Sequence, residues 1–202
     1  MFSRSIQQLI SQFTQLPGVG PRTATRYALH FAHCTSAQRK NFVQAFQGLD
    51  DLGFCSWCNY PFDNHDKQVD LCPICHSQVR NHRLLCIVEK ETDLDSIERI
   101  RAYHGLYFII GQTNNWPESK EVKKNIKKLL SRIKKTSPKI EEVILALNST
   151  PEGQSLSFYL SDLLRKTSVK ISHLRQGLPR GGELEYADHE TLQSALRERK
   201  EI

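Results

Sequence analysis

Cys55, Cys58, Cys72 and Cys75 are spaced C-x2-C, thirteen residues, C-x2-C. Each C-x2-C pair sets two sulfurs on one tight turn, and the intervening loop lets the two turns face each other. Four deprotonated thiolates so arranged form a tetrahedral cage suited to one structural Zn²⁺ per chain. Such a cage leaves no open coordination position, so it predicts a staple for the fold and no chemistry. Two disulfides are the competing reading. The opening MFSRSIQQLI shows no long apolar segment and no small-residue cleavage site. That argues for a cytoplasmic, reducing compartment, where this spacing favours metal. An iron–sulfur cluster is the minor metal alternative. Cys34 and Cys86 lie in apolar surroundings and are expected to be buried thiols.

A second candidate is Leu16-Pro17-Gly18-Val19-Gly20-Pro21. It interrupts two helical patterns, one carrying Ile6, Leu9, Ile10 and Phe13, the other Ala24, Tyr27, Ala28 and Phe31. Gly18 and Gly20 permit a tight hairpin and a close backbone approach to a ligand. The N–H groups of the hairpin and of the following helix start then converge on one point, which makes an anion site that a DNA phosphate fits. Arg22 and Arg26 are four residues apart on the outer face, and Thr23 adds a hydroxyl. None of these groups reads a base edge, so the contact should be largely independent of sequence. An ordinary helical corner with two solvated arginines is the bland alternative.

The elements that must position these groups fall into two patterns. Helical periodicity covers residues 1–54, with a third helix expected after Ser36 as N-cap, carrying Phe42, Val43, Phe46 and Leu49 and ending at Gly53. The cysteine module covers 55–76. From residue 82 to 177 strands alternate with helices. Strands are expected at Leu84–Glu89, Leu106–Ile110, Val143–Leu147 and Val169–His173. Helices are expected at Asp93–His104 (stopped by Gly105), Lys120–Lys135 and Gly153–Lys166. Alternation of this kind predicts a parallel sheet covered on both faces. A tail, 178–202, follows a Gly-rich turn and ends in a helix from His189. The fold class is thus α+β with an α/β module: an N-terminal helix–hairpin–helix, a four-cysteine zinc module, a parallel-sheet domain and a C-terminal tail with a helix.

The net charge is +6 and the pI about 9.0, which favours an acidic partner. Residues 120–139 carry nine Lys or Arg against one Glu. These lysines lie largely off the apolar stripe and read as a solvated face, with a phosphate track or an acidic-partner site as the alternative.

Cys86-Ile87-Val88-Glu89, and later Val143 to Gly153, resemble a Toprim domain. Toprim enzymes place a glutamate after the first strand and a D-x-D pair after the third, and the carboxylates hold Mg²⁺ for phosphoryl transfer. Here Glu89 stands at the glutamate position, but Asn148 and Thr150 occupy the D-x-D positions, with Glu152 in the turn beyond. The resemblance therefore implies a degenerate site and no catalysis. A catalytically active Toprim nuclease or topoisomerase-like enzyme is the runner-up.

The order of modules, with Gly177-Leu178-Pro179-Arg180-Gly181-Gly182-Glu183-Leu184-Glu185-Tyr186-Ala187-Asp188 in the tail, resembles the bacterial RecR family of recombination mediators. That resemblance implies a homotetrameric clamp on DNA, partnership with RecO and often RecF, and help in loading RecA at gaps. It carries the DNA-binding role onto Gly18, Val19, Gly20, Arg22 and Arg26. The sequence departs from the family at Gln112–Glu118, which replaces a Gly-rich, aspartate-containing stretch, and in the lysine-rich helix after it. The tail acids have no phosphate-binding loop to accompany them, so ATP hydrolysis is not expected.

Overall fold

The structure is a computed structural model describing residues 2–65, 69–174, 178, 181, 183–187, 189–197 and 199. The chain separates into two compact units, Met1–Leu52 with Asp63–Lys67, and Gly53–Phe62 with Gln68–Ile202.

The first unit holds three helices: α1 (Arg4–Phe13), α2 (Pro21–His33) and α3 (Ser36–Gln47), followed by one 3₁₀ turn, Gly48–Asp51. Pro21 opens α2 at its first position, where a missing N–H costs nothing. The N-cap of α3 is Thr35, not Ser36. The Thr35 hydroxyl accepts from the Gln38 N–H at 3.3 Å and the Gln38 side chain accepts from the Thr35 N–H at 2.8 Å. This reciprocal capping box fixes the helix start one residue earlier than the sequence pattern suggests. Ala24 and Ala28 are the fully buried residues of α2, and neither α1 nor α3 buries any. Phe13 stacks on Phe31 at 5.8 Å, Phe31 meets Phe42 at 4.6 Å, and Phe42 meets Phe46 at 5.7 Å. Helix α3 ends at Gln47, short of the expected Gly53, and Phe42, Val43, Phe46 and Leu49 are all exposed. Cys34 is only half-buried.

Strands β1 (Leu52–Phe54) and β2 (Pro61–Asp63) pair as a short ribbon, and in the second unit α4 (Pro73–His76) carries the last cysteine. The sheet follows. Its strands are β3 (Asn81–Val88), β4 (Gly105–Ile109), β5 (Glu142–Ala146) and β6 (Lys170–His173), in the order β4-β3-β5-β6. All three ladders are parallel, with Cys86 opposite Tyr107 and Ile144. The helices are α5 (Glu91–Ile100), α6 (Lys120–Lys135), α7 (Pro151–Leu164) and α8 (His189–Arg197). The turn expected at Gly177–Gly182 lies largely outside the described residues.

Alternation along the strands divides the core. Leu85, Ile87, Leu106, Phe108 and Ile110 face α6 and α7, whose Val122, Ile126, Leu129, Leu156, Leu160 and Leu164 fill the other side of that layer. Cys86, Val88, Tyr107 and Ile109 face the opposite way, against Leu94 and Ile97 of α5 and against Tyr60 and Ile74 of the cysteine module. The module therefore serves as part of the second covering layer of the sheet. Burial of this kind stabilises by about 1.5–3 kcal/mol per large apolar side chain.

Helix α5 ends earlier than its pattern suggests. Arg101 takes the left-handed conformation (φ 56°) and closes it, leaving Ile100 exposed. Gly105 is not a helix stop but the first residue of β4. A Cβ there would lie 2.3 Å from the Tyr103 hydroxyl, which donates to the Leu106 carbonyl at 2.9 Å.

A half-buried ion pair ties α5 to the sheet. Arg80 donates to Glu98 Oε1 at 2.8 Å and to the Gly105 carbonyl at 3.2 Å, and the Tyr107 hydroxyl also donates to Glu98. The Arg80 guanidinium holds the Glu98 carboxyl below its ordinary range. A depressed carboxyl contributes stability above its unfolded pKa of about 4.3 and loses it as pH falls through the lower folded value. Glu98→Gln should therefore be less stable than the parent at neutral pH, and the gap in urea midpoint should close as pH falls through about 4. A gap independent of pH would show that the pair contributes only packing.

Candidate functional site

The four cysteine sulfurs lie within 4.8 Å of one another and all four residues are buried. Cys58 Sγ and Cys72 Sγ are 3.6 Å apart. A tetrahedron with metal–sulfur bonds of about 2.3 Å has edges near 3.8 Å, whereas a disulfide needs about 2.05 Å. The cysteines are unpaired, so the donor set fits one tetrahedral metal ion and the disulfide reading is set aside. Local backbone makes the cage. Asn59 closes the first turn at φ 68°, a conformation that asparagine tolerates. Its N–H donates to the Cys55 carbonyl at 3.0 Å, and Pro73 starts α4 between Cys72 and Cys75. Trp57, Tyr60, Phe62, Leu71 and Ile74 surround the sulfurs.

This knuckle grips the outer edge of β4. The Ile109 N–H donates to the Cys58 carbonyl at 2.9 Å, and Asn59 Nδ2 donates to the Ile109 carbonyl at 2.8 Å. Helix α6 supplies two more ties. Arg132 Nη1 donates to the Tyr107 carbonyl at 2.8 Å and the Trp57 carbonyl at 3.1 Å, and its guanidinium lies 5.4 Å from the Trp57 ring centre. Lys128 donates to Asn59 Oδ1 and the Cys55 carbonyl, and burial pushes its ammonium below its ordinary pKa. Lys128 and Arg132 were hidden among the surface charges of the sequence. The available signal was Arg132 itself, the one arginine in a helix of lysines, since a planar fork suits two carbonyls better than an ammonium does.

The Toprim-like residues meet at the C-terminal ends of β3 and β5. Glu89 is 3% exposed, not a solvated strand-end carboxylate. Its Oε1 accepts from the Asn148 N–H at 2.7 Å and its Oε2 accepts from the Thr113 hydroxyl at 2.9 Å. A Cβ at Gly153 would lie 2.2 Å from the Asn148 carbonyl and 3.2 Å from Glu89 Oε1. Thr150 is the N-cap of α7, accepting from the Gly153 N–H at 3.1 Å, with Glu152 in the first turn. The residues at the D-x-D positions thus serve backbone roles, and Glu89 is a strut between three loops. Thr113, within Gln112–Glu118, is a partner the sequence pattern did not reveal. A cleft of about 640 Å³ opens beside it, lined by Asn59, Glu91, Gln112, Asn115, Glu121 and Lys124 among others.

In the hairpin, Gly18 lies at φ 75° and Gly20 is the N-cap of α2. No atom lies within 4 Å of where a Cβ would project from either glycine. The Val19 N–H returns to the Leu16 carbonyl at 3.1 Å. Arg22 and Arg26 are exposed and Thr23 half-buried. The hairpin therefore presents an open helix start with two outward guanidiniums, a geometry able to receive phosphates.

A parallel Toprim-type sheet carrying a four-cysteine knuckle, together with a helix–hairpin–helix unit, defines a multi-module protein of nucleic-acid-associated type. Residues 83–175 match the Toprim domain family, 6–47 the RecR helix-hairpin-helix family and 177–200 the RecR C-terminal family. The chain is 36% identical over 203 residues to recombination protein RecR of Bifidobacterium adolescentis, covering 100% of this chain and 98% of that one. It is likewise 36% identical to the RecR protein of Desulforudis audaxviator over 100% and 99% of the two chains. For that of Staphylococcus aureus strain JH9 the identity is 35%, again over 100% and 99%. The chain belongs to the RecR family of recombination proteins.

Two predictions follow from the geometry. Cys58→Ser should lose bound metal, measured by elemental analysis, and should unfold at lower denaturant than the parent, since three ligands no longer close the cage. Glu89→Ala should cost about 2–4 kcal/mol in urea unfolding, because it strands the Asn148 N–H and the Thr113 hydroxyl. Glu89→Gln should cost less than half as much, since its amide oxygen keeps one donor and the hydroxyl can accept from its NH₂. Equal costs for the two variants would reject the strut.

Proposed function

We propose that the chain is a non-enzymatic, DNA-binding recombination mediator, acting in the cytoplasm as a homotetrameric clamp with RecO and RecF to load RecA at gaps. The names of its relatives, recombination protein RecR, support the process. The observation that carries the non-enzymatic reading is the state of Glu89. Both of its oxygens are turned onto an amide and a hydroxyl, and the positions of the two missing aspartates hold Asn148 and Thr150. A Mg²⁺ site for phosphoryl transfer requires clustered carboxylates facing the substrate.

In this reading residues 1–54 make the DNA contact, 55–76 a zinc module, 82–177 the degenerate Toprim domain and 178–202 a subunit contact. Zn²⁺ is the favoured ion because four thiolates in a closed shell match its structural sites. Gly18, Val19 and Gly20 bring backbone to a phosphate, while Arg22, Thr23 and Arg26 neutralise or bond its neighbours. Assembly is supported by the first unit, which leaves Tyr27, Phe42, Val43, Phe46 and Leu49 exposed and, among its described residues, buries no large side chain fully. Contiguous apolar surface of that kind marks interaction sites.

Arg22→Ala with Arg26→Ala should weaken DNA binding at every sequence tested and lower the slope of log K against log salt by about 1.5–2. Unchanged affinity at low salt would reject the hairpin. Robust Mg²⁺-dependent cleavage or relaxation, lost on Glu89→Gln, would establish the enzymatic alternative instead.

A further inference from the structure

The chain's positive charge is concentrated in one place. Residues 120–139 hold nine Lys or Arg against one Glu, leaving nineteen basic and twenty-one acidic residues for all the rest. The net charge of +6 therefore resides in α6 and its C-terminal flank. The structure divides these cations sharply. Arg132 and Lys128 turn inward to the knuckle. Lys120, Lys123, Lys124, Lys127, Lys134 and Lys135 are exposed, and none of them makes an ion pair among the described residues.

Their spacing at three and four residues places them along one side of the helix. From Lys120 to Lys134 the stripe runs about 21 Å at a rise of about 1.5 Å per residue. One strand of a duplex presents about six phosphates in that length, at about 3.4 Å each. Ser131, half-buried, is the uncharged residue that continues the stripe, and no aromatic or aliphatic side chain interrupts it. Protein–protein interfaces are depleted in lysine and enriched in aromatic anchors. A regular row of ammonium groups without an anchor matches a regular polyanion.

We propose that the lysine face of α6 is a second, sequence-independent binding surface for the phosphate backbone of DNA, separate from the hairpin of α1 and α2. It rests on the reading of the chain as a DNA-binding protein, and it assigns to the Toprim-fold unit a DNA contact of its own.

The test uses the full chain. Lys120, Lys123, Lys124, Lys127 and Lys134 are changed together to Gln, which keeps helix propensity and leaves Lys128 and Arg132 in place. Binding of fluorescent single-stranded and duplex oligonucleotides is titrated from about 50 to 200 mM salt. The Arg22→Ala/Arg26→Ala variant and the combination are measured in parallel, and unchanged thermal unfolding confirms the fold. The five-lysine variant should lose about 3–4 from the salt slope. The hairpin variant should retain residual binding that the combination abolishes, and Lys→Arg at the same five positions should keep the parental slope. An unchanged slope in the five-lysine variant, with binding lost in the hairpin variant, would overturn the α6 surface and leave the DNA-binding reading intact. Absence of DNA binding by the parent chain would defeat both. Loss of poly-glutamate binding with DNA binding unaltered would also overturn it, in favour of an acidic protein partner.

Discussion

The outer edge of β4 is the constraint on which the second unit turns. An edge strand of a parallel sheet presents unpaired carbonyls and amides, which either invite another chain or must be covered. Here the Ile109 amide and carbonyl and the Tyr107 carbonyl are each taken by Cys58, Asn59 and Arg132. Two of those three residues sit on a turn whose shape depends on the cysteine cage. The cysteine cage is therefore coupled to the sheet through backbone hydrogen bonds as well as through the apolar layer of Tyr60 and Ile74. Arg132 adds a second dependence. Its Nε and Nη2 are buried without protein partners, so the Trp57 face is what compensates the guanidinium there. Loss of the cage would free that face and leave a buried cation poorly matched, a large penalty for a single site.

In the Toprim-like corner the glutamate is held by the loops around it. The glutamate keeps its place after the first sheet strand, but its hydrogen bonds run inward to Thr113 and Asn148. The backbone of the β5–α7 loop then needs Gly153 for close approach to the Asn148 carbonyl, and a hydroxyl at Thr150 for the helix start. Each of these substitutes a short-range backbone function for what a D-x-D pair would do at long range. A buried carboxylate between two donors ties three loops together at once.

Much of this was legible in the residues. The cysteine spacing, the parallel sheet and the extent of α6 all followed from patterns that local physics enforces: metal-ligand spacing, strand–helix alternation, a 3.6-residue apolar period. Errors arose where a contact distant in sequence decides the outcome. His104 and Gly105 read as the end and stop of α5, but Arg101 in the left-handed region ends it at Ile100, and Gly105 belongs to β4 under the Tyr103 hydroxyl. Thr113 and Lys128 were indistinguishable from loop and surface residues because their partners lie twenty-four or more positions away. The apolar stripe of α3 is a separate case: periodicity reports that a face is apolar, not that the same chain covers it.

That uncovered face bears on how weak contacts become a stable complex. A hairpin offers few phosphate contacts, and each is worth little at physiological salt. Linking several such sites converts later contacts into intramolecular ones, raising avidity without any new chemistry. Among its described residues the first unit buries only Ala24 and Ala28 fully, a small core for a segment of this size. In the proposed clamp, the same deficiency of core that makes the unit marginal alone would supply apolar surface for assembly, and assembly would supply the multiplicity that sequence-independent phosphate binding requires. Stability and DNA affinity in the proposed clamp are thereby coupled through subunit concentration, so dilution should weaken both together.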